Sequence, residues 1–93
     1  MRERDIETYL RSSVHATGGK AYKWTSPGNA GVPDRIVIYP GNRIYFVELK
    51  ATGQKPRPLQ RKQIGDLHVL GCDVRVIDSK EAVKAFVEEV RSQ

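Results

Sequence analysis

The residues whose types and spacing could do chemistry are Asp34, Glu48 and Lys50. They lie in Gly31-Val32-Pro33-Asp34-Arg35-Ile36-Val37-Ile38-Tyr39 and Arg43-Ile44-Tyr45-Phe46-Val47-Glu48-Leu49-Lys50, with Pro40-Gly41-Asn42 between. Two β-branched and aromatic runs around a Pro-Gly-Asn break predict a hairpin. If the loop is Pro40-Gly41-Asn42, Tyr39 faces Arg43, Ile38 faces Ile44, Ile36 faces Phe46 and Asp34 faces Glu48. One sheet face then carries four apolar side chains and ends in two opposed carboxylates, and Lys50 joins it by the strand period of two. Like charges placed opposite one another are destabilising. A proton, a basic group or a divalent cation must therefore neutralise them. Two hard oxygen ligands and an ammonium at the mouth of an apolar face suit a magnesium site for phosphate chemistry. The plainer alternative is that Asp34 begins a strand after a turn and Glu48 and Lys50 form a solvated pair.

The elements that must position these groups follow from periodicity. Residues 3–16 read as a helix with Ile6, Tyr9, Leu10, Ser13 and Val14 on one side and Arg4, Arg11 and His15 opposite. Glu7 projects at the edge of the apolar face, and its spacing also allows a surface pair with Arg11. Thr17-Gly18-Gly19 ends this helix, and Ala21–Thr25 alternates as a first strand. Tyr22 and Trp24 share a face there. Ser26–Gly31 is a turn-rich loop whose glycines would allow close backbone approach to a phosphate, but it fits no P-loop, so no nucleotide cofactor is expected. Pro58 suits the first turn of a helix through about Leu70. Leu59, Gln63, Leu67 and Leu70 line its inner face, and Gln60 is a polar oddity at the end nearest the carboxylates. Val74–Ile77 forms a fourth strand. Asp78 to Glu81 has capping-box spacing before an amphipathic last helix carrying Ala82, Val83, Phe86, Val87 and Val90. The whole is an α/β fold, a mixed sheet flanked by helices.

Length and charge bound the partners. Ninety-three residues make one domain, spanning 1–93, with a single modest core. A formal net charge of +5 favours a polyanionic partner. The stretch from Ala51 to Gly65 has no acidic residue but holds Lys55, Arg57, Arg61 and Lys62, where a phosphate backbone could be gripped. Lys20, Lys23 and Arg35 are further candidates for DNA backbone contacts. The one cysteine, Cys72, excludes an internal disulfide and a cysteine zinc site. With a charged start and no long apolar run, the expectation is a soluble, intracellular, cytoplasmic protein with no membrane partner.

The order helix, three strands, helix, strand, helix, with Pro33-Asp34 and Glu48-Leu49-Lys50, resembles the PD-(D/E)xK nuclease superfamily. More closely, the chain resembles the VRR-Nuc (virus-type replication-repair nuclease) family. Gly31-Val32-Pro33-Asp34 matches its GxPD strand entry, Val47-Glu48-Leu49-Lys50 its VExK strand, Leu59-Gln60 its glutamine-bearing helix and Glu7 the glutamate of its first helix. The resemblance implies a restriction-endonuclease-like α-β-β-β-α-β core with an added C-terminal helix. It implies metal-dependent phosphodiester hydrolysis, with Asp34, Glu48 and the Leu49 main-chain carbonyl holding Mg²⁺ or Mn²⁺. In that scheme Lys50 acts on the attacking water or the phosphate, Glu7 completes the site through a second metal or a coordinated water, and Gln60 holds Lys50, water or phosphate. Stand-alone members of the family resemble homodimeric, structure-selective endonucleases acting on branched DNA such as Holliday junctions, which points to a phage or mobile-element setting. The same core also resembles archaeal-type Holliday junction resolvases. The competing classes are a non-catalytic nucleic-acid-binding module on a nuclease-like fold and a basic structural subunit of a larger complex.

Overall fold

The computed structural model describes residues 1–93. Its elements are α1 (Glu3–Ala16), β1 (Lys20–Lys23), β2 (Arg35–Tyr39), β3 (Arg43–Leu49), α2 (Pro58–Val69), β4 (Asp73–Ile77) and α3 (Lys80–Arg91). The strands form one sheet in the order β1-β2-β3-β4. β1, β2 and β3 run antiparallel, and β4 lies parallel to β3. A parallel neighbour cannot be reached by a tight turn, so α2 rides on the crossover between β3 and β4. The α/β class and the element order match the sequence reading.

The hairpin adopts the predicted register, with Tyr39 opposite Arg43, Ile38 opposite Ile44 and Ile36 opposite Phe46. Gly41 and Asn42 both take positive φ, +84° and +62°, which glycine and asparagine tolerate and β-branched residues do not. The two faces of the sheet differ sharply. Odd-numbered residues of the hairpin (Val37, Tyr39, Tyr45, Val47, Leu49) point into the core with Ile77. Ile6, Leu10 and Val14 of α1 and Val83, Phe86, Val87 and Val90 of α3 cover them. The even face is only partly covered: Ile38 and Ile44 are 37% and 44% exposed, and Val76 is 44% exposed. The apolar face that carries the carboxylates is therefore not the main core.

Three local expectations change. β1 covers Lys20–Lys23 rather than Ala21–Thr25. Trp24 keeps one bond, its N–H donating to the Asp34 carbonyl at 2.9 Å, before Pro27, which has no N–H, carries the chain away. α2 buries none of its residues fully, and Leu59 and Leu70, expected on its inner face, are 50% and 78% exposed. The helix sits beside β4 at one end of the sheet, so only Gln60, Gln63, Ile64 and Leu67 are half-covered. The cap of α3 is Ser79, whose Oγ accepts the Ala82 N–H at 3.0 Å, not Asp78. Asp78 instead accepts the Gly53 N–H at 3.4 Å. No helix is long and apolar enough to cross a membrane.

Candidate active site

Glu48 stands near the end of β3, and Asp34 immediately precedes β2 across from it. Asp34 is fixed by the backbone: its Oδ1 accepts the main-chain N–H of Leu49 at 3.0 Å. Glu48 is 3% exposed and Lys50 8%, which for charged side chains requires partners. Lys50 Nζ lies 3.3 Å from Glu48 Oε2, and the same oxygen accepts Gln60 Nε2 at 2.8 Å. Glu48 Oε1 takes neither. Lys50 is held from behind, since its N–H donates to the Ile77 carbonyl at 3.0 Å and extends the β3–β4 ladder by one bond.

Gln60 has two engagements. It is the third residue of α2, and its Oε1 accepts the Arg57 main-chain N–H at 2.8 Å. That is half of a capping box; Arg57 has no acceptor with which to make the other half. The amide is thereby oriented with its NH₂ toward Glu48. Gly31 brings the preceding loop against this helix end. Its φ is +90°, and a Cβ placed there would lie 2.8 Å from the Leu59 carbonyl oxygen. Only glycine fits that approach. The close contact of this loop is with the helix backbone, where the sequence had suggested room for a phosphate.

One full positive charge beside two carboxylates leaves the site short of cations. Burial pushes the Glu48 carboxyl up, and the Asp34 charge adds to it. Lys50 opposes both, and the group ends at about 7. Asp34 is raised as well, by burial first, with the Leu49 N–H pulling the other way. A buried carboxyl that holds its proton near neutrality beside a second carboxylate is a mark of a site built for another cation or for proton transfer. No three His, Cys, Asp or Glu side chains gather anywhere in the chain. Asp34, Glu48 and the Leu49 carbonyl nevertheless fit Mg²⁺, which commonly takes one or two carboxylates and completes its shell with water and substrate phosphate.

Two predicted site residues are placed differently. Arg35, expected on a DNA-facing surface, is 7% exposed, and its guanidinium pairs with Glu7 at 2.9 Å. As an odd-numbered residue of β2 it points under α1, so it is withdrawn from direct backbone contact. Glu7 is accordingly held by Arg35 and does not join Asp34 and Glu48 in a three-carboxylate cluster. It reaches Asp34 only through its field, which raises that carboxyl slightly. Strand parity was the signal that could have found this pair; helical spacing had pointed to Arg11. Of the other basic candidates, Lys20, Lys23, Lys55, Arg57, Arg61 and Lys62 are all exposed. Lys62 pairs with Asp66 at 2.9 Å, and Arg61 donates to the Pro56 carbonyl at 2.8 Å.

Comparison with known proteins agrees with this fold. No protein-family model matches the chain. A curated relative, "Putative nuclease p44" of Acyrthosiphon pisum secondary endosymbiont phage 1, is 49% identical over 81 residues, covering 87% of each chain. A solved structure described as a VRR_NUC domain superposes with a TM-score of 0.86 at 30% identity, over 95% of this chain and 97% of the other.

Proposed function

Because the chain belongs to the VRR-Nuc family of nucleases, we propose that it is a divalent-metal-dependent endonuclease hydrolysing DNA phosphodiester bonds at Asp34, Glu48 and Lys50. The observation that carries the reading is the buried Glu48, raised to about 7 beside Asp34 with Lys50 as its only counter-charge. Such a pair is costly to keep ionised unless a further cation arrives. Bound Mg²⁺ or Mn²⁺ supplies Lewis-acid polarisation of the phosphate and a more acidic water. Asp34 and Glu48, with the Leu49 carbonyl, would hold that ion. Gln60 keeps Glu48 in place and leaves its Oε1 free to ligate. Lys50 Nζ, anchored on Glu48 Oε2, orients the attacking water and donates to the phosphate oxygen as negative charge develops. Water's oxygen forms the new P–O bond and gives up a proton to solvent, the bond to the leaving sugar oxygen breaks, and that oxygen takes up a proton from solvent. Glu7, paired to Arg35, contributes charge at the rim and can act through a coordinated water. Lys20, Lys23, Lys55, Arg57 and Arg61 carry backbone contacts without base readout.

We further infer a homodimer acting on branched DNA, such as four-way junctions. What supports the dimer is the uncovered hairpin end of the even sheet face, where Tyr22, Ile38 and Ile44 are 47%, 37% and 44% exposed. Contiguous apolar exposure of this kind marks an interaction surface. A two-fold pair would supply the two sites that symmetric cutting of a junction needs. The test is cleavage of labelled four-way junction, flap, single-stranded and linear duplex DNA with Mg²⁺, Mn²⁺, Ca²⁺ or EDTA, alongside light scattering of the wild type and Ile44→Glu. Metal-dependent, symmetric junction cuts and a dimer that Ile44→Glu dissociates are expected. Binding without cutting under every metal would leave a nucleic-acid-binding module instead.

A further inference from the structure

Away from the carboxylates, a cleft of about 520 Å³ opens between the outer flank of α1 and the edge strand β1. It is lined by Thr8, Arg11, Ser12, His15, Lys20 and Ala21: basic groups and hydroxyls, with no carboxylate among them. The absence of an acid has a structural cause. Glu7 stands four residues before Arg11, in the favourable order for a helical ion pair, but Arg35 takes it at 2.9 Å. No carboxylate pairs with Arg11, His15 or Lys20. The Lys20 ammonium rests at the rim, 4.7 Å over the Tyr22 ring. A concave surface lined by unpaired cations focuses positive potential and favours an anion.

The arrangement of donors narrows the class of anion. Arg11 and His15 are one helical turn apart, about 6 Å along the axis. Ser12 lies between them, while the Thr8 hydroxyl a turn before already donates to the Arg4 carbonyl at 3.0 Å. Donors spaced along a line fit a chain of phosphates better than a single tetrahedral ion, and guanidinium, ring N–H and hydroxyl groups all donate to phosphate oxygens. β1 connects this cleft to the carboxylates. Lys20 pairs with Ile38 and Lys23 with Arg35, and the Trp24 N–H reaches the Asp34 carbonyl.

We propose that the α1–β1 cleft, through Arg11, His15 and Lys20, is a second phosphodiester-backbone site, gripping nucleic acid away from the carboxylate site. The binding rests on the lining of the cleft and not on the nuclease reading. The test is the affinity of Arg11→Ala/His15→Ala/Lys20→Ala for a labelled duplex, in EDTA and across a salt series, with Lys84→Ala on α3 as control. Each lost phosphate contact lowers the slope of log K against log salt by about 0.9 for duplex DNA. The triple variant should lose about 2 from the slope and roughly tenfold or more in affinity near 0.1 M salt, while Lys84→Ala matches the wild type. If the triple variant melts early, Arg11→Ala and Lys20→Ala singly should each lose about 0.9. Wild-type slope and affinity in these variants would overturn the proposal. Inorganic phosphate is the second probe. It should displace duplex no better than sulfate at equal ionic strength, and tight saturable binding of phosphate would make the cleft a small-anion site instead. Binding in chelator is read without cleavage, so its outcome is separate from that of the carboxylate site.

Discussion

Raising the pH from about 5 to about 8 in chelator should destabilise this protein, and Glu48 is the reason. In the folded chain its carboxyl keeps its proton to about 7, against an ordinary value of 4.5. Between those values the folded state binds more protons than the unfolded one, so stability falls as pH rises. The contribution is complete below the ordinary value and lost as pH passes through about 7. A difference of this size corresponds to about 3 kcal/mol, or on the order of 10–20 °C in Tm for a domain of this length. Asp34, also raised, acts in the same direction. Glu89, which Arg75 holds below the usual range, loses its contribution only as pH falls below that window. Glutamine at position 48 has no proton to release. Thermal melts in EDTA across this range should therefore slope downward for the wild type and clearly less for Glu48→Gln, in which Asp34 alone of the two still contributes. Saturating Mg²⁺ at the upper end should return about 2.7 kcal/mol at 100 times its Kd. A wild-type Tm that stays level or rises over this range, or an equal slope in Glu48→Gln, would refute the reasoning.

Gln60→Ala removes both the acceptor of the Arg57 N–H and the donor to Glu48. It should cost about 1–2 kcal/mol in urea unfolding and slow single-turnover cleavage while DNA affinity is retained. Gly31→Ala forces a Cβ toward the Leu59 carbonyl at positive φ. A loss of at least about 1–2 kcal/mol is expected in the same unfolding assay, and a neutral result would contradict the close approach. Arg35→Met removes the partner of Glu7, whose side chain is 32% exposed and can be rehydrated, at a cost of roughly 1–2 kcal/mol. It should also free Glu7 to pair with Arg11, reducing the salt slope of DNA binding by about 0.9.

What could be read from the sequence was whatever follows from periodicity. Alternation fixed the hairpin register, and with it the opposition of Asp34 to Glu48 and the shared face of Glu48 and Lys50. The same alternation put Arg35 on the core side, yet its charge suggested the surface. A buried arginine becomes visible only when the helix above it, and Glu7 on that helix, are in place. α2 was misjudged for a related reason. Leu59 and Leu70 have core spacing, but spacing does not tell whether a helix lies across a sheet or at its end. The role of Gly31 depends on α2 approaching from a distant part of the chain, so no local pattern could reveal it. Gln60 was legible as an oddity but not as a hinge between a helix cap and Glu48, because that link crosses from α2 to β3.

The central claim is that Asp34 and Glu48 hold the ion required for phosphodiester hydrolysis. It is tested most directly by single-turnover cleavage of a labelled four-way junction by the wild type, Asp34→Asn and Glu48→Gln, at saturating protein with Mg²⁺ or Mn²⁺. The predicted result is metal-dependent cutting by the wild type and none by either variant, with DNA affinity nearly unchanged. Cutting by Asp34→Asn or Glu48→Gln at the wild-type rate would contradict the account.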